Sequence, residues 1–381
     1  MFLFIIFHAV DVYFEYSSVH WGAHAKIELS GHAKSLALRL LNRYDSNISS
    51  TLLCKLIRPW LTHSSSRRPF PGLHCASYFG IDEVVAALIE MEGCDINQPD
   101  FEEFTPLVRA DEQGNQGVVG LLLKRDDIDP EKPDKYGRAA LWWASTKGHE
   151  GVVRLLLAQD DVNPDTPDRY GCTPLWSASR NGHEGVVRLL LARDDINPDK
   201  PEQYGQTPLF WASYFGHEGI VRLLLARDDV SPDKPNNNGI TPFQCASSEA
   251  HERVVNLLLS RRAINPDQPD HNSPTPLPSA SSNVHEEVAR PPVARDDISP
   301  DKPDSGDLTF LQCASNDGYE EVVRPLVARD DVDPYEQDNT APTPPKISSM
   351  RKYRRTIAEH VGKKIKLILN GYKISFWVCA R

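Results

Sequence analysis

The chain has 381 residues, of which 40% are hydrophobic and 25% charged, and its formal net charge is −11. This apolar content is sufficient for a folded core, and the acidic balance disfavours nucleic acid as a partner of the main body. The seven cysteines are widely spread along the chain, which excludes a dense disulfide framework and predicts reduced, intracellular thiols.

Residues 1–68 contain no repeat and are predicted to form a short N-terminal helical segment. The apolar opening, residues 1–10, lacks a basic start and is followed by Asp11, so we predict neither a signal peptide nor a membrane span there. His20 and His24 lie four residues apart and could hold a metal from one helix face. Since no third ligand of a suitable type is near them, we interpret them as packing residues.

From residue 69 to residue 340 the sequence repeats itself about eight times, with a period of 34 residues. The best copies lie between residues 137 and 238. One slot of the repeat holds an alanine in every copy, namely Ala76, Ala110, Ala144, Ala178, Ala212, Ala246, Ala280 and Ala314. Self-similarity at a fixed period of this size is the signature of stacked supersecondary units. We therefore predict a repeat array over 69–340.

Each copy predicts two short helices and a connecting finger. In the fourth copy, Pro174 fits the first turn of a helix, where its missing N–H costs nothing. Gly182 supplies the left-handed residue that ends this helix, and apolar residues from Val186 to Leu191 recur at helical spacing. Helices of two to three turns are unstable alone in water, so neighbouring copies must cover their apolar faces.

The motifs TPLWSA at 173–178, TPLFWA at 207–212 and GLHCA at 72–76 resemble the T-P-L-H-x-A motif of ankyrin repeats. The segment GHEGVVRLLL at 182–191 is similar to the second helix of that family. This resemblance covers about 270 of the 381 residues. It implies an all-α solenoid in which each repeat forms a helix–turn–helix plus a hairpin loop. It also implies a protein without catalytic residues, cofactors or a small-molecule substrate.

A finer resemblance involves the residues before and at the start of the array. YFEYSSVHWGAHA at 13–25, followed by GLHCASYFGIDEVVAALIE at 72–90, looks like the junction in fungal NACHT–ankyrin (NOD-like) proteins. In those proteins a helical segment joins a nucleotide-binding module to the repeats. This sequence has no G-x-x-x-x-G-K-[ST] motif, so no nucleotide switch is carried over. The resemblance implies the sensing part of such a receptor, without its NTPase module.

Repeats seven and eight are predicted to be degenerate. Pro278 falls in a first helix, while Pro291, Pro292 and Pro325 fall within second helices. An interior proline costs about 3 kcal/mol or more, so we expect the array to be strongest over about 103–272. Tolerance of these prolines as helix kinks is the alternative.

Residues 341–381 are predicted to be a Pro-rich linker followed by a basic tail. Between 346 and 381 there are ten Lys or Arg residues and one Glu. The tail is interpreted as poorly ordered, as a nuclear-targeting or anion-binding segment over 351–373, or as a gene end foreign to the family. We expect a cytoplasmic location, or a nuclear one if the tail is a targeting signal. Nucleic acid or anionic lipid is expected to bind only through 351–373.

We searched the repeats for catalytic and metal-binding patterns. The pair His183-Glu184 recurs in neighbouring copies with the repeat, which indicates a structural role at the start of the second helix. Asp195, Asn197 and Asp199 mimic the first ligands of a calcium loop. The later positions of the loop lack the required glycine and glutamate. We therefore predict no catalytic, cofactor-binding or metal-binding residues.

Ankyrin repeats usually meet their partners through hairpin tips and the exposed end of the first helix. The matching tip residues are Tyr136, Tyr170 and Tyr204. The matching residues at helix ends are Lys147, Arg180, Asn181, Tyr214 and Phe215. Phased tyrosines would form a ladder along one edge, and tyrosine is enriched at binding hot spots. These eight residues are the predicted protein-binding site, on the concave and hairpin face.

Two further phased rows keep two interpretations each. The aromatic row either packs between copies or enlarges the binding surface, and comprises Trp142, Trp176 and Phe210. The paired aspartates either form a solvated face or attract basic partners, and comprise Asp126-Asp127, Asp160-Asp161, Asp194-Asp195 and Asp228-Asp229. The sequence as a whole predicts a non-catalytic protein-interaction scaffold. The alternative is an adaptor to nucleic acid or anionic membrane through the basic tail.

Overall fold

The computed structural model describes residues 72–100, 102–261, 264–265 and 326. Within these ranges the secondary structure consists of twelve α-helices and no strands. The helices are α1 (Gly72–Phe79), α2 (Asp82–Ile89), α3 (Pro106–Gln113), α4 (Gln116–Leu122), α5 (Ala140–Lys147), α6 (Glu150–Leu157), α7 (Pro174–Asn181), α8 (Glu184–Leu191), α9 (Pro208–Tyr214), α10 (Glu218–Leu225), α11 (Pro242–Ser248) and α12 (Glu252–Leu259). The N-terminal segment, the basic tail and nearly all of repeats seven and eight lie outside the described residues.

The first helix of the fourth copy begins and ends where its sequence predicts. In α7, Thr173 is the N-cap, and its hydroxyl accepts a hydrogen bond from the backbone N–H of Trp176 at 3.1 Å. Pro174 occupies the first helical position, and Gly182 ends the helix with a φ of 81°. The third copy differs, because Ala139 has no side-chain oxygen with which to cap α5. Where the N-cap is a threonine, its hydroxyl accepts a hydrogen bond from a backbone N–H of the first helical turn, which has no acceptor within the helix.

The second helices bury an apolar stripe. In α8, Val186, Val187 and Leu190 are fully buried, and the corresponding residues of α6 and α10 are buried in the same way. Each of these helices has only eight residues, which is too few for stability in isolation. Their stability therefore comes from packing between copies, as the sequence predicts.

The described residues divide into two compact units, a first that ends at Gln203 and a second that begins at Tyr204. In the first unit, α1, α3, α5 and α7 pack in sequence order as one layer, and α2, α4, α6 and α8 form a second layer. In the second unit, α9 packs on α11 and α10 packs on α12. The first helix of each described copy also packs against its own second helix. The predicted all-α repeat fold is therefore confirmed.

The recurring histidine joins one copy to the next. The Nε2–H of His183 donates to the backbone oxygen of Thr146 in the preceding copy at 2.9 Å. In the second unit, His251 makes the same bond to the Tyr214 oxygen at 2.9 Å. Asn115 replaces the histidine in the second copy, and its amide donates to the Ser77 oxygen at 2.8 Å. These bonds support the structural interpretation of the repeated His-Glu pairs.

Candidate functional site

The hairpin tips of the first unit are closed by buried aspartates. One carboxylate oxygen of Asp134 accepts from the backbone N–H groups of Tyr136 at 2.8 Å and Arg138 at 3.0 Å. In the next copy, Asp168 accepts in the same way from Tyr170 at 2.9 Å. The turn therefore places each tyrosine at the outer end of its finger.

These tips display aromatic surface. Tyr170 is 41% exposed in the first unit, and Tyr204 is 61% exposed in the second. Tyr136 is partly exposed. In the part of the chain that the structure describes, the strongly exposed large hydrophobic residues are Met91, Tyr170, Tyr204 and Phe215. Three of these four belong to the predicted site, so the phased tip positions do carry accessible rings.

Cations surround the tyrosine rings of the first unit. The Arg169 guanidinium carbon lies 4.3 Å from the ring centroid of Tyr136 and 4.8 Å from that of Tyr170. The Lys135 ammonium lies 5.1 Å from the Tyr136 centroid. Arg138 also lies over Tyr136, at 4.5 Å, but it forms an ion pair with Asp134 at 2.7 Å. At such distances a cation is attracted to the face of an aromatic ring.

Sequence reasoning did not single out Lys135, Arg138 and Arg169. The slot before each tip tyrosine holds Lys135, Arg169 and then Gln203, so a phased comparison of this slot could have found the first and last of the three cations. Arg138 follows the tip glycine, and the residue in that slot is different in each neighbouring copy. Its part in the site is visible only from its contacts.

The row of Trp142, Trp176 and Phe210 contributes to packing. The indole N–H of Trp142 donates to the backbone oxygen of Cys172 in the next copy at 3.1 Å. Phe210 is 4% exposed and belongs to the core of the second unit. For these two rings the contacts favour packing over a place on the binding surface. Trp176 is partly exposed, and the guanidinium of Arg180 lies 5.8 Å from its ring centroid.

The predicted residues at the end of the first helix are accessible in the first unit. Lys147 at the end of α5 is exposed, as are Arg180 and Asn181 at the end of α7. The Asn181 amide donates to the backbone oxygen of Ser177 at 2.8 Å, which holds its side chain against the helix. These positions add polar groups to the candidate site.

In the second unit, the end of α9 forms an aromatic cluster. Phe215 is 41% exposed and stacks on Trp211, with ring centroids 5.6 Å apart and an interplanar angle of 19°. Its edge contact with Tyr214 has a centroid distance of 5.0 Å. Trp211 was not among the predicted residues, although it occupies the same slot as Trp143 two copies earlier. The Trp211 ring packs against one face of the exposed Phe215 ring.

Three aspartates of the row, one in each of three pairs, are neutralised by an arginine of their own copy. Arg193 binds Asp195 through two hydrogen bonds, of 2.9 and 2.7 Å, and this interaction lowers the pKa of Asp195. Arg125 with Asp127 and Arg227 with Asp229 repeat the arrangement. These aspartates are exposed to solvent. The pairing favours the solvated-face interpretation over attraction of basic partners.

The fingers that mimic a calcium loop use their oxygens to hold the stack together. Asp165 accepts from the backbone N–H of Asn197 in the next copy at 3.0 Å, and the Asn197 side chain accepts from the N–H of Asp199 at 3.0 Å. Among the described residues, no group of three or more His, Cys, Asp or Glu could hold a metal ion. None of the helices in these ranges has the length and apolar content that a bilayer crossing requires.

The second copy contains a buried ionic network. Arg109 is 1% exposed, and its guanidinium pairs with Asp100 at 2.6 Å, Glu102 at 2.7 Å and Glu112 at 3.3 Å. It also lies over the ring of Phe104, with its guanidinium carbon 4.2 Å from the centroid. The positive charge of Arg109 is neutralised by these ion pairs within the protein. The network therefore links the finger to α3, and the buried guanidinium is not accessible to a ligand.

The neighbouring His74 is buried in the first copy. Its Nε2–H donates to the backbone oxygen of Phe104 at 3.0 Å. Burial lowers the pKa of His74 to about 4, so the ring is neutral at physiological pH. This histidine occupies the histidine position of the T-P-L-H-x-A motif and acts as another link between copies.

Comparison with known families gives one family of repeats. The model of the family described as "Ankyrin repeats (3 copies)" matches residues 73–168, 127–202, 162–236 and 194–270. Together these matches cover 73–270, which is just over half of the 381 residues. No curated protein matches the chain significantly.

Proposed function

Because the chain belongs to the ankyrin-repeat family, we propose that it is a non-catalytic scaffold that binds a protein partner through its hairpin tips and first-helix ends. Proteins of this family generally mediate protein–protein interaction. The observation that carries the proposal is the exposure of the large rings of Tyr170, Tyr204 and Phe215, which lie at hairpin tips or at the end of a first helix. Exposed aromatic side chains supply much of the binding energy of protein interfaces.

The construction of the tips supports this proposal. At the tips of Tyr136 and Tyr170, a buried aspartate and a glycine with a φ of about 80° fix the turn, so a tyrosine there loses little freedom when a partner binds. Backbone hydrogen bonds between neighbouring tips, such as Arg169 N–H to the Tyr136 oxygen at 2.9 Å, hold them at a defined spacing. Preorganised contact residues reduce the entropic cost of association.

The test replaces the three tip tyrosines together, as Tyr136→Ser, Tyr170→Ser and Tyr204→Ser. Affinity capture from the source cell with the full chain identifies the partner, and its affinity for the triple variant is then measured. We expect a loss of binding with unchanged helical circular dichroism. The matched control replaces three phased, exposed arginines of the second helices, as Arg154→Ser, Arg188→Ser and Arg222→Ser. Equal binding by the two triple variants would contradict the proposed site.

A finer proposal concerns the biological setting. The resemblance of 13–25 and 72–90 to the junction of fungal NACHT–ankyrin proteins supports a role as the sensing part of a NACHT-type receptor. Residues 13–25 lie outside the described residues. The test is purification of the native complex from the source cell, in which we expect a chain with a nucleotide-binding NACHT module. Its absence from a complex that retains the partner would contradict this role.

The adaptor function through residues 351–373 is the alternative, and it is supported by the excess of nine positive charges between 346 and 381. These residues also lie outside the described residues. Retention of the full chain on heparin is compared with that of a variant in which the Lys and Arg residues of 351–373 are Gln. Strong retention that the variant loses would favour the adaptor function, and equal retention would exclude it.

A further inference from the structure

The guanidinium of Arg169 is held in place between two hairpin tips. It lies over the rings of Tyr136 and Tyr170, and its Nη2 donates to the Tyr170 hydroxyl at 2.5 Å. The backbone N–H of the same residue donates to the Tyr136 oxygen at 2.9 Å. The residue as a whole is nevertheless exposed to solvent. Arg169 is therefore a positioned cation on an accessible surface.

This cation has no carboxylate partner in the described ranges, and neither has Lys135 on the adjacent tip. A guanidinium carries five N–H donors, and Tyr170 takes one of those of Arg169. Arg138 differs, since its charge is compensated by Asp134. The tips of the second and third copies thus carry two positive charges without an ion pair, beside exposed aromatic surface, in a chain whose net charge is −11.

We propose that the tips of the second and third copies bind an acidic segment of the protein partner. Its carboxylates pair with Arg169 and Lys135, and its chain packs on the rings of Tyr136 and Tyr170. The inference rests on the proposed function and specifies the chemistry of the partner. Arginine binds a carboxylate through two parallel hydrogen bonds, and a guanidinium already oriented by two rings loses little entropy when it does so.

The charge distribution favours an acidic peptide over nucleic acid. A protein that holds a nucleic acid by its phosphates typically uses about 6–10 such contacts, whereas these tips offer two uncompensated cations. The net charge of −11 repels a long polyanion. A short acidic segment pairs with the two cations locally and fills the remaining contact with apolar or aromatic side chains.

The slot before the tip tyrosine supplies a matched variant. It holds Lys135 in the second copy, Arg169 in the third and Gln203 in the fourth, while the backbone N–H of Gln203 makes the same bond to the preceding tip as that of Arg169. The double variant Lys135→Gln and Arg169→Gln therefore removes both charges with a residue that this turn already accepts. Unchanged circular dichroism and melting temperature verify that the variant folds.

The first test selects peptides from a displayed random-peptide library on the full chain. We expect the selected sequences to be enriched in Asp and Glu next to apolar residues, and selection on the double variant to lose the acidic enrichment. Selected peptides without acidic bias would overturn the acidic partner and leave the proposed function standing. If the library yields no binding peptide, the acidic-segment proposal falls, whereas the proposed function is decided by the triple tyrosine variant.

The second test measures the affinity of the most enriched acidic peptide by fluorescence anisotropy. We expect Arg169→Gln to weaken binding about tenfold, as the loss of a charge-assisted pair implies. The control removes two exposed cations elsewhere, Lys124→Gln and Arg154→Gln, and we expect its affinity to change by less than about threefold. An equal loss of peptide affinity in Arg169→Gln and in the control variant would overturn the proposal that the peptide binds at the tips. Displacement of the peptide by oligothymidine, abolished by Arg169→Gln, would assign the site to nucleic acid instead.

Discussion

Arg109 and Arg169 lie over aromatic rings at almost equal distances, 4.2 Å from the Phe104 centroid and 4.3 Å from the Tyr136 centroid, yet their surroundings are opposite. Arg109 is buried and shared by three carboxylates. Arg169 is exposed and shared by two tyrosine rings. The difference teaches that an arginine–aromatic contact does not define a role by itself. Burial and the presence of carboxylates decide whether the charge holds the fold together or is displayed to a partner.

The largest effect is expected for Arg109→Met. This change leaves the buried carboxylate of Asp100 without its cation, and breaking a buried ion pair from one side costs about 3–5 kcal/mol. Urea unfolding followed by circular dichroism measures the loss. A cost below about 1 kcal/mol would contradict the structural role of Arg109.

An intermediate effect is expected at Asp111 in α3, the same helix as Arg109. Asp111 is fully buried, and neither of its carboxylate oxygens has a hydrogen-bond partner among the described residues. The other described copies have a serine in this slot, namely Ser77, Ser145, Ser179, Ser213 and Ser247. Asp111→Ser is expected to raise the free energy of unfolding by about 1–3 kcal/mol at neutral pH, because a buried ionisable carboxyl group is replaced by a smaller, neutral hydroxyl that the other copies already bury.

The gain at Asp111 depends on pH in a defined direction. Burial raises the pKa of Asp111 well above its ordinary value, so the folded state binds the proton more tightly than the unfolded state. The protonated Asp111 therefore makes its full contribution to the unfolding free energy below the unfolded pKa of about 4. This contribution is lost as the pH rises through the folded pKa. The difference in unfolding free energy between Asp111→Ser and the natural chain should grow from pH 4 to pH 7. A difference that shrinks from pH 4 to pH 7 would contradict a raised pKa of Asp111 in the folded state.

Arg169→Gln is the exposed counterpart of Arg109→Met. It removes cation–aromatic contacts that are worth about 0.5–1 kcal/mol at exposed sites and breaks no ion pair within the described ranges. The loss of stability should therefore stay below about 1 kcal/mol, measured by the same urea titration. A loss as large as that of Arg109→Met would mean that Arg169 serves the fold.

The smallest effect on stability is expected from salt. Raising the ionic strength from about 0.1 M to 1 M shortens the Debye length from about 10 Å to 3 Å, which screens exposed charges far more than buried ones. The network of Arg109 should therefore keep its contribution, measured as the difference in unfolding free energy between Arg109→Met and the natural chain. Binding of an acidic peptide at Arg169 should weaken over the same range. Binding that is independent of salt would contradict the role of the exposed cations.

Much of the fold could be predicted because its determinants are local and repeated. Pro174 and Gly182 mark the start and end of a helix, and α7 runs from Pro174 to Asn181 with Gly182 in the left-handed conformation. The tip tyrosines could also be placed, since a phased position in a known repeat motif specifies a position on the finger. The exposure of Tyr170 and Tyr204 agrees with that placement.

The charged part of the site was harder to predict, because it depends on contacts between copies. Nothing adjacent in sequence to Arg169 shows that its guanidinium lies over Tyr136, which is in the preceding copy. Likewise, Trp211 supports Phe215 through a stacking geometry that spacing alone does not specify. Such contacts join residues that are close only after the fingers and helices have packed.

The sequence alone determined that this chain is an array of short helical pairs with tyrosines at the finger tips, because the same local signals recur every 34 residues. Only the tertiary structure decided which charged side chains form ion pairs within the protein and which remain exposed without one. Arg109 and Arg169 are both cations close in sequence to aromatic residues. Arg109 forms ion pairs with the carboxylates of Asp100 and Glu102. Arg169 forms no ion pair with a carboxylate in the described ranges. Pairing of charges depends on distance and burial in three dimensions, and neither is encoded in the period.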